Sequence, residues 1–280
     1  MTEIKSTEEF NSLVKAFRIR NQKPLTNCFL MPQEIDTLAK EGRLLAEDSA
    51  DWLLFLCDRD DYYSLYYYTT ENSSSEAVKD FVKTVTDKDI FTDIVSRSGR
   101  GDMLTPAKLI SDGAAEKYKT YQRMQVNTKD IDFSSLEIKL PEGYSLSLDY
   151  CDCEKLGSLW REALDEKSTP LPKQDELITL RDEGHLFTVL SEKGELAAVI
   201  VLSVTGKQSL LQHLSVSPDH RRKGLAAALM KKCLLCAKQE ELTVSRLWVD
   251  CENLSAVALY DRLNFQKDGM LCEQLYMKGI

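Results

Sequence analysis

The strongest periodicity lies in the second half of the chain. In CEKLGSLWREALDE (153–166), Leu156, Leu159, Trp160 and Ala163 recur at the spacing of one helical face. The same spacing predicts a long helix from about Arg222 to Glu240, a helix over 173–183 after the proline-bearing STPLP, and another over 253–263. Shorter apolar runs between them read as strands. These are 144–150, 185–206 as a pair joined at Glu192-Lys193-Gly194, 209–218 stopped by Pro218, 245–251, and two short strands in the tail. Helices alternating with strands in this order predict an α/β domain with a mixed, partly parallel sheet flanked by helices.

The first half is less regular. Residues 52–70 read as a hairpin turning at Asp58-Arg59-Asp60-Asp61, 76–85 as helix, 90–97 as strand and 114–126 as helix. A strand pair followed by alternating helix and strand is a faint echo of the second half. Five tyrosines fall between 62 and 68, and in a hairpin their ordinary role is cross-strand packing. The polar stretch 127–143, carrying Pro141 and Gly143, is the natural linker. It predicts an α/β N-terminal domain over 1–135 and a second domain over 136–280.

Composition narrows the classes. Hydrophobic residues make up 43% and charged residues 29% of the 280 positions, which fits globular domains and excludes low-complexity or collagen-like chains. The net charge of −9 argues against general nucleic-acid binding, which depends on Lys and Arg. The longest apolar run, 196–204, is half a membrane span, and the polar N-terminus has no signal-peptide pattern. A soluble, cytoplasmic protein without a membrane or nucleic-acid partner is expected. Cys151 with Cys153, and Cys233 with Cys236, could together offer four thiolates to zinc. Knuckle-like spacing is missing, and Cys233 and Cys236 sit among leucines of a predicted helix, so core cysteines and no metal are expected.

The most informative segment is HLSVSPDHRRKGLAAALMKK, 213–232. A strand ends at Ser217-Pro218, and a basic turn of Arg221, Arg222 and Lys223 leads through Gly224 into a helix. Cations oppose the dipole at a helix start, whereas a bound anion is favoured there. Gly224 and the small Ala226 leave the backbone approachable.

The pattern Arg221-x-x-Gly224-x-Ala226 on strand–turn–helix resembles the signature of the GNAT N-acetyltransferases. The later segment VDCENLSAVALYDRLNF (249–265), with Asn253, Ala256, Tyr260 and Phe265, resembles the second part of that fold. The resemblance implies an acetyl-CoA site. Main-chain groups of Leu214, Ser215 and Val216 would pair with the pantetheine arm. Arg221 and Lys223 would line the turn, and amides from Arg222 through Gly224, Leu225 and Ala226 to Ala227 would cradle the pyrophosphate. Asn253 and Ala256 would border the cofactor, and Tyr260 would be the acid that protonates the leaving thiolate. The expected reaction moves acetyl from acetyl-CoA to a primary amine by direct attack in a ternary complex.

Three departures stand out. Relatives often carry Glu where this chain has Leu210; Gln212 shares that strand face but is no base. His213 has a suitable pKa but by strand alternation points to the opposite face, and Asp250 and Glu252 are further base candidates. Asn264 stands where the family has Gly, in a conformation Asn tolerates. The first half contains no comparable run; RSGRG at 97–101 has other spacing. The echo within 27–126 points to residues 1–135 as a degenerate tandem copy, as some GNAT proteins contain, with an unrelated α/β cap as the alternative. A non-catalytic acyl-CoA-binding or regulatory module, and a substrate-recruiting interaction protein, are the alternative classes.

Overall fold

The computed structural model describes residues 1–70, 75–85, 88–97, 106–133 and 136–279. The chain forms two compact units, Met1–Tyr121 with Gly269–Ile280, and Gln122–Asp268. They differ from a single cut after residue 135 because the strands Glu116–Asn127 and Gln266–Met277 each contribute to both units. The segment RSGRG, apart from Arg97, lies outside the described residues.

In the second unit the order is β8 (Tyr144–Ser147), α5 (Cys153–Ala163), α6 (Gln174–Asp182), β9 (Leu186–Ser191), β10 (Leu196–Thr205), β11 (Gln208–Val216), α7 (Leu225–Gln239), β12 (Val244–Asp250) and α8 (Leu254–Arg262). Strands β8 to β11 pair antiparallel in sequence order, and β11 pairs parallel with β12. The crossover through α7 makes that last pairing parallel. Two apolar layers sandwich the sheet. On one face Trp160, Leu177 and Leu180 of α5 and α6 pack on Leu186, Val199 and Val201. On the other, Leu225, Leu229 and Cys233 of α7 pack with Ile200, Leu211, Leu247 and Tyr260.

The first unit repeats this plan: β1 (Thr2–Glu3), α1 (Thr7–Arg20), α2 (Pro32–Lys40), β3 (Leu44–Asp48), β4 (Trp52–Asp58), β5 (Tyr62–Thr69), α3 (Ser75–Val82), β6 (Asp89–Arg97), α4 (Pro106–Ser111) and β7 (Glu116–Asn127). One extra strand, β2 (Leu25–Thr26), lies between α1 and α2. Pairing is antiparallel from β1 through β3 and β4 to β5, then parallel from β5 to β6. Next to β6 runs β13 (Gln266–Met277), paired antiparallel from Met270 to Met277. The hairpin tyrosines serve packing: Tyr67 enters the α3 layer and Tyr68 the α1–α2 layer.

Two predicted elements change. Residues 114–126 are expected to be helical and form β7 instead. Gln122, Met124 and Val126 alternate inward there, so burial of a two-residue period outweighs the helix propensity of Ala, Glu and Lys. The tail is one twelve-residue strand rather than two, since Gly269 absorbs a positive φ of 84° without ending it. No helix among the described residues is long and apolar enough to cross a membrane.

Candidate cofactor and active site

The parallel ladder between β11 and β12 is short. It registers Gln208 with Val244, Ser209 with Ser245 and Leu210 with Arg246, and ends there. Beyond it the edge of β11 from Gln212 to Val216 is left to pair elsewhere. Leu214, Ser215 and Val216 all lie on this stretch, and the buried Ser215 hydroxyl has no hydrogen-bond partner.

A bulge opens the gap. Val199 pairs with Ser215 and Val201 with Gln212, so Ile200 alone faces both His213 and Leu214. His213 takes the left-handed conformation (φ 56°), and Trp160 Nε1 donates to its carbonyl at 2.8 Å. The extra residue corrects the face expected for His213. Its ring lies 5.4 Å from that of Trp160, in the α5 layer where Val201, the partner of Gln212, also packs. Gln212, held by the Ser203 hydroxyl at 2.6 Å, and His213 thus share one face. Burial pushes the imidazole down to about 4, and its Nδ1 is buried without a partner. A neutral ring results.

The turn into α7 is built by its own cations. Arg221 Nε donates to the Val216 carbonyl at 3.1 Å, and Lys223 Nζ donates to the Tyr144 hydroxyl at 2.7 Å and the Asp219 carbonyl at 3.2 Å. His220 Nδ1 meets the same hydroxyl at 2.8 Å. Arg222 is exposed at φ 63°. Gly224 is the N-cap rather than a first-turn residue, and its φ of 82° explains glycine. A Cβ built there would meet nothing within 4 Å, so the space above it is open. The first helical bond runs from Ala228 N to Gly224 O, and no side chain caps this end. The amides of Leu225, Ala226 and Ala227 therefore remain for an anion, and the donor set fits a pyrophosphate.

On the other side of the gap, Asn253 is the N-cap of α8. Its Oδ1 accepts from Ala256 N at 3.1 Å and the Ser255 hydroxyl at 3.0 Å, which spends the oxygen and the Ala256 amide on the helix start. Tyr260 is buried beside Phe265, ring centroids 6.1 Å apart, and burial pushes its phenol up to about 12. Asp250 Oδ1 accepts from Glu252 N at 2.9 Å and so closes the turn before α8, while Glu252 is exposed. Asn264 adopts φ 63°, the left-handed conformation that Asn accepts in place of Gly.

The first unit has the same gap and fills it with its own chain. Its ladder between β5 and β6 ends at Ser64 with Phe91. Beyond that point Asn27, buried, donates to the carbonyls of Leu65 (3.2 Å) and Asp93 (2.8 Å) and to Thr92 Oγ1 (3.0 Å). Its Oδ1 accepts from Tyr67 N at 2.7 Å. Neighbouring Leu25 and Thr26 pair with Thr69 and Tyr68. The sequence reading missed this segment, because one Asn after LT carries no local signal of a bridge between distant strands.

Residues 153–265 match the Acetyltransferase (GNAT) family. Part of the chain is 32% identical over 87 residues to the [Ribosomal protein bS18]-alanine N-acetyltransferase of Escherichia coli (strain K12), covering 30% of this chain and 57% of that protein. It is 35% identical over 89 residues to N-acetyltransferase family 8 member 3 of Rattus norvegicus, covering 30% of this chain and 39% of the relative. The match thus spans about half or less of these relatives' lengths. Among solved structures, a tandem GNAT protein from the clavulanic acid biosynthesis pathway aligns with 100% of this chain and 98% of its own, at TM-score 0.63 and 12% identity. A GCN5-related N-acetyltransferase from Sphaerobacter thermophilus aligns with 86% of this chain and 79% of its own, at TM-score 0.60 and 12% identity. Residues 153–265 therefore match a GNAT acetyltransferase domain, and over its whole length the chain has the fold of a tandem GNAT protein.

Proposed function

We propose that the second unit transfers an acetyl group from acetyl-CoA to a primary amine by direct attack in a ternary complex. The observation that supports this most is the conjunction of an unpaired strand edge at Leu214–Val216 with an uncapped helix start behind Gly224. One accepts an extended amide-bearing arm by strand addition, the other a diphosphate. Arg221 and Lys223 fix the turn, and exposed Arg222 adds charge at its mouth. Asn253 and Ala256 shape the far wall through the α8 cap.

When bound, acetyl-CoA supplies an activated thioester. The chain's own part is to position it, polarise its carbonyl with strand amides at the bulge, and receive the amine on the face of Gln212 and His213. Neutral His213 offers Nδ1 as an acceptor that orients the amine. A group held down to about 4 is a weak base, so the amine sheds its proton before or during attack without help from a strong side-chain base. Tyr260, kept protonated by burial, donates a hydrogen bond to the sulfur as the carbon–sulfur bond breaks. A phenol at about 12 is too weak to surrender its proton outright to a thiolate of ordinary pKa near 8.5, so the proton lost by the acylated amine balances the step.

Asn27 and β2 occupy the corresponding gap of the first unit, so one acetyl-CoA per chain is proposed. Tyr260→Phe tests the catalytic part. Turnover is expected to fall on the order of a hundredfold, with acetyl-CoA affinity held within about twofold. Unchanged turnover would remove Tyr260 from the chemistry. Tight acetyl-CoA binding without turnover on any amine would make the unit a non-catalytic binding module.

A further inference from the structure

At the far end of α7 from the proposed diphosphate site, three different ligand types converge. His185, Cys236 and Glu240 each bring one ligand atom within 4.8 Å of the others. Cys236 and Glu240 lie one helical turn apart and project to the same side. His185, immediately before β9, is brought to them by packing of the sheet on α7. His185 Nε2 lies 2.8 Å from Glu240 Oε1, and Cys236 Sγ lies 3.1 Å from that same oxygen. The sequence reading paired Cys236 with Cys233, but Cys233 is fully buried on α7 and stands outside this group.

A second carboxylate stands on the other side of the ring. Glu183 Oε2 lies 3.5 Å from His185 Nδ1. With a metal ion on Nε2 in place of the proton now shared with Glu240, the ring proton would sit on Nδ1, facing Glu183. The carboxylate–histidine arrangement is the usual outer support of a metal-bound imidazole.

We propose that His185 Nε2, Cys236 Sγ and Glu240 Oε1 form a zinc(II) site with water as fourth ligand. One thiolate and one carboxylate balance the charge of a divalent ion, leaving a neutral centre in a half-buried position. Mixed nitrogen, sulfur and oxygen donors suit zinc over calcium or magnesium. Bond lengths of about 2.0–2.3 Å place tetrahedral ligand atoms roughly 3.3–3.7 Å apart. The present 2.8 and 3.1 Å contacts need open by only about half an ångström, within reach of side-chain rotation. Glu240, at the C-cap of α7, is partly exposed, which gives ion and water a path inward. A bound ion would tie the start of β9 to the end of α7.

The test uses the full chain stripped of metal with a chelator, titrated with zinc sulfate by calorimetry and with cobalt(II) by absorption spectroscopy. One zinc per chain and a thiolate-to-cobalt charge-transfer band are expected. Cys236→Ser should abolish the band, and Glu240→Gln, which keeps the side-chain shape, should abolish tight binding. Glu183→Gln should weaken zinc by roughly tenfold to a hundredfold. No zinc uptake by the wild-type chain would overturn the site. So would uptake and a cobalt band unchanged in both Cys236→Ser and Glu240→Gln, because the metal would then sit on other cysteines. None of these readouts depends on acetyl transfer.

Discussion

Gly224 and His213 both depart from right-handed backbone, for different reasons. Gly224 takes φ 82° at the mouth of α7, where nothing in the protein would collide with a Cβ. The requirement there is backbone conformation and access to the amides behind it. Gly224→Ala is expected to lose about 1 kcal/mol of stability and to weaken acetyl-CoA at least tenfold, read by thermal unfolding and calorimetry. Ala226→Ser, two residues on and inside the helix, should leave the stability within about half a kcal/mol. His213 needs φ 56° to carry the bulge, and Asn tolerates that conformation while a β-branched residue does not. His213→Asn should keep the fold and raise the KM for amine, whereas His213→Val should also destabilise by about 1–2 kcal/mol. Equal melting temperatures for the two variants would contradict the strained bulge. The glycine was legible because its motif is local. The face of His213 was not, because a bulge depends on which residues of β10 stand opposite.

At the scale of elements, legibility followed the length of the periodic signal. The helices α5 to α8 were readable from spacing. The helix α1 was missed although Ser6 accepts from Glu9 N at 3.2 Å, the pairing that Ser-x-x-Glu announces. Strand β7 was mistaken for helix because only Gln122, Met124 and Val126 show its alternation. The short β2 has no signal of its own, and its meaning comes from the gap it closes. Asn27 satisfies groups on both β5 and β6, so Asn27→Ala removes the hydrogen bonds to the Asp93 carbonyl and the Tyr67 amide, while the Leu65 carbonyl keeps the Thr92 hydroxyl. A loss of about 2–4 kcal/mol is expected, read from the denaturant midpoint. Acetyl-CoA affinity of the second unit should not change. A loss under about half a kcal/mol would mean that Asn27 does not seal the gap.

Across the whole molecule, one plan occurs twice: four strands paired antiparallel in order, then a fifth paired parallel to the fourth after a crossover helix. The repetition is only faint in the sequence, because topology repeats here without repeating the glycine motif. The first unit has turned buried polar groups into structure, and Asp93 is its pH-sensitive member. Burial lifts the Asp93 carboxyl to about 6, partly offset by Gln274 Nε2 donating at 3.0 Å. A folded pKa above the unfolded value gives stability that is full below about pH 4 and lost as pH rises through about 6. The loss is at most about 3 kcal/mol from a shift of some two pKa units. Asp93→Asn should remove that decline, unfolding at higher temperature than wild type at pH 8 and showing no such gain at pH 4. A gain of equal size at both pH values would contradict a buried, protonating carboxyl.

The proposed function places a single acetyl-CoA site in the second unit, at the open edge of β11 and the start of α7, with its counterpart in the first unit closed by Asn27. Calorimetric titration of the full chain with acetyl-CoA tests it most directly. One site per chain, at least tenfold weaker in Gly224→Ala and unaffected by Asn27→Ala, is the predicted result. No binding, or two equivalent sites per chain, would contradict it.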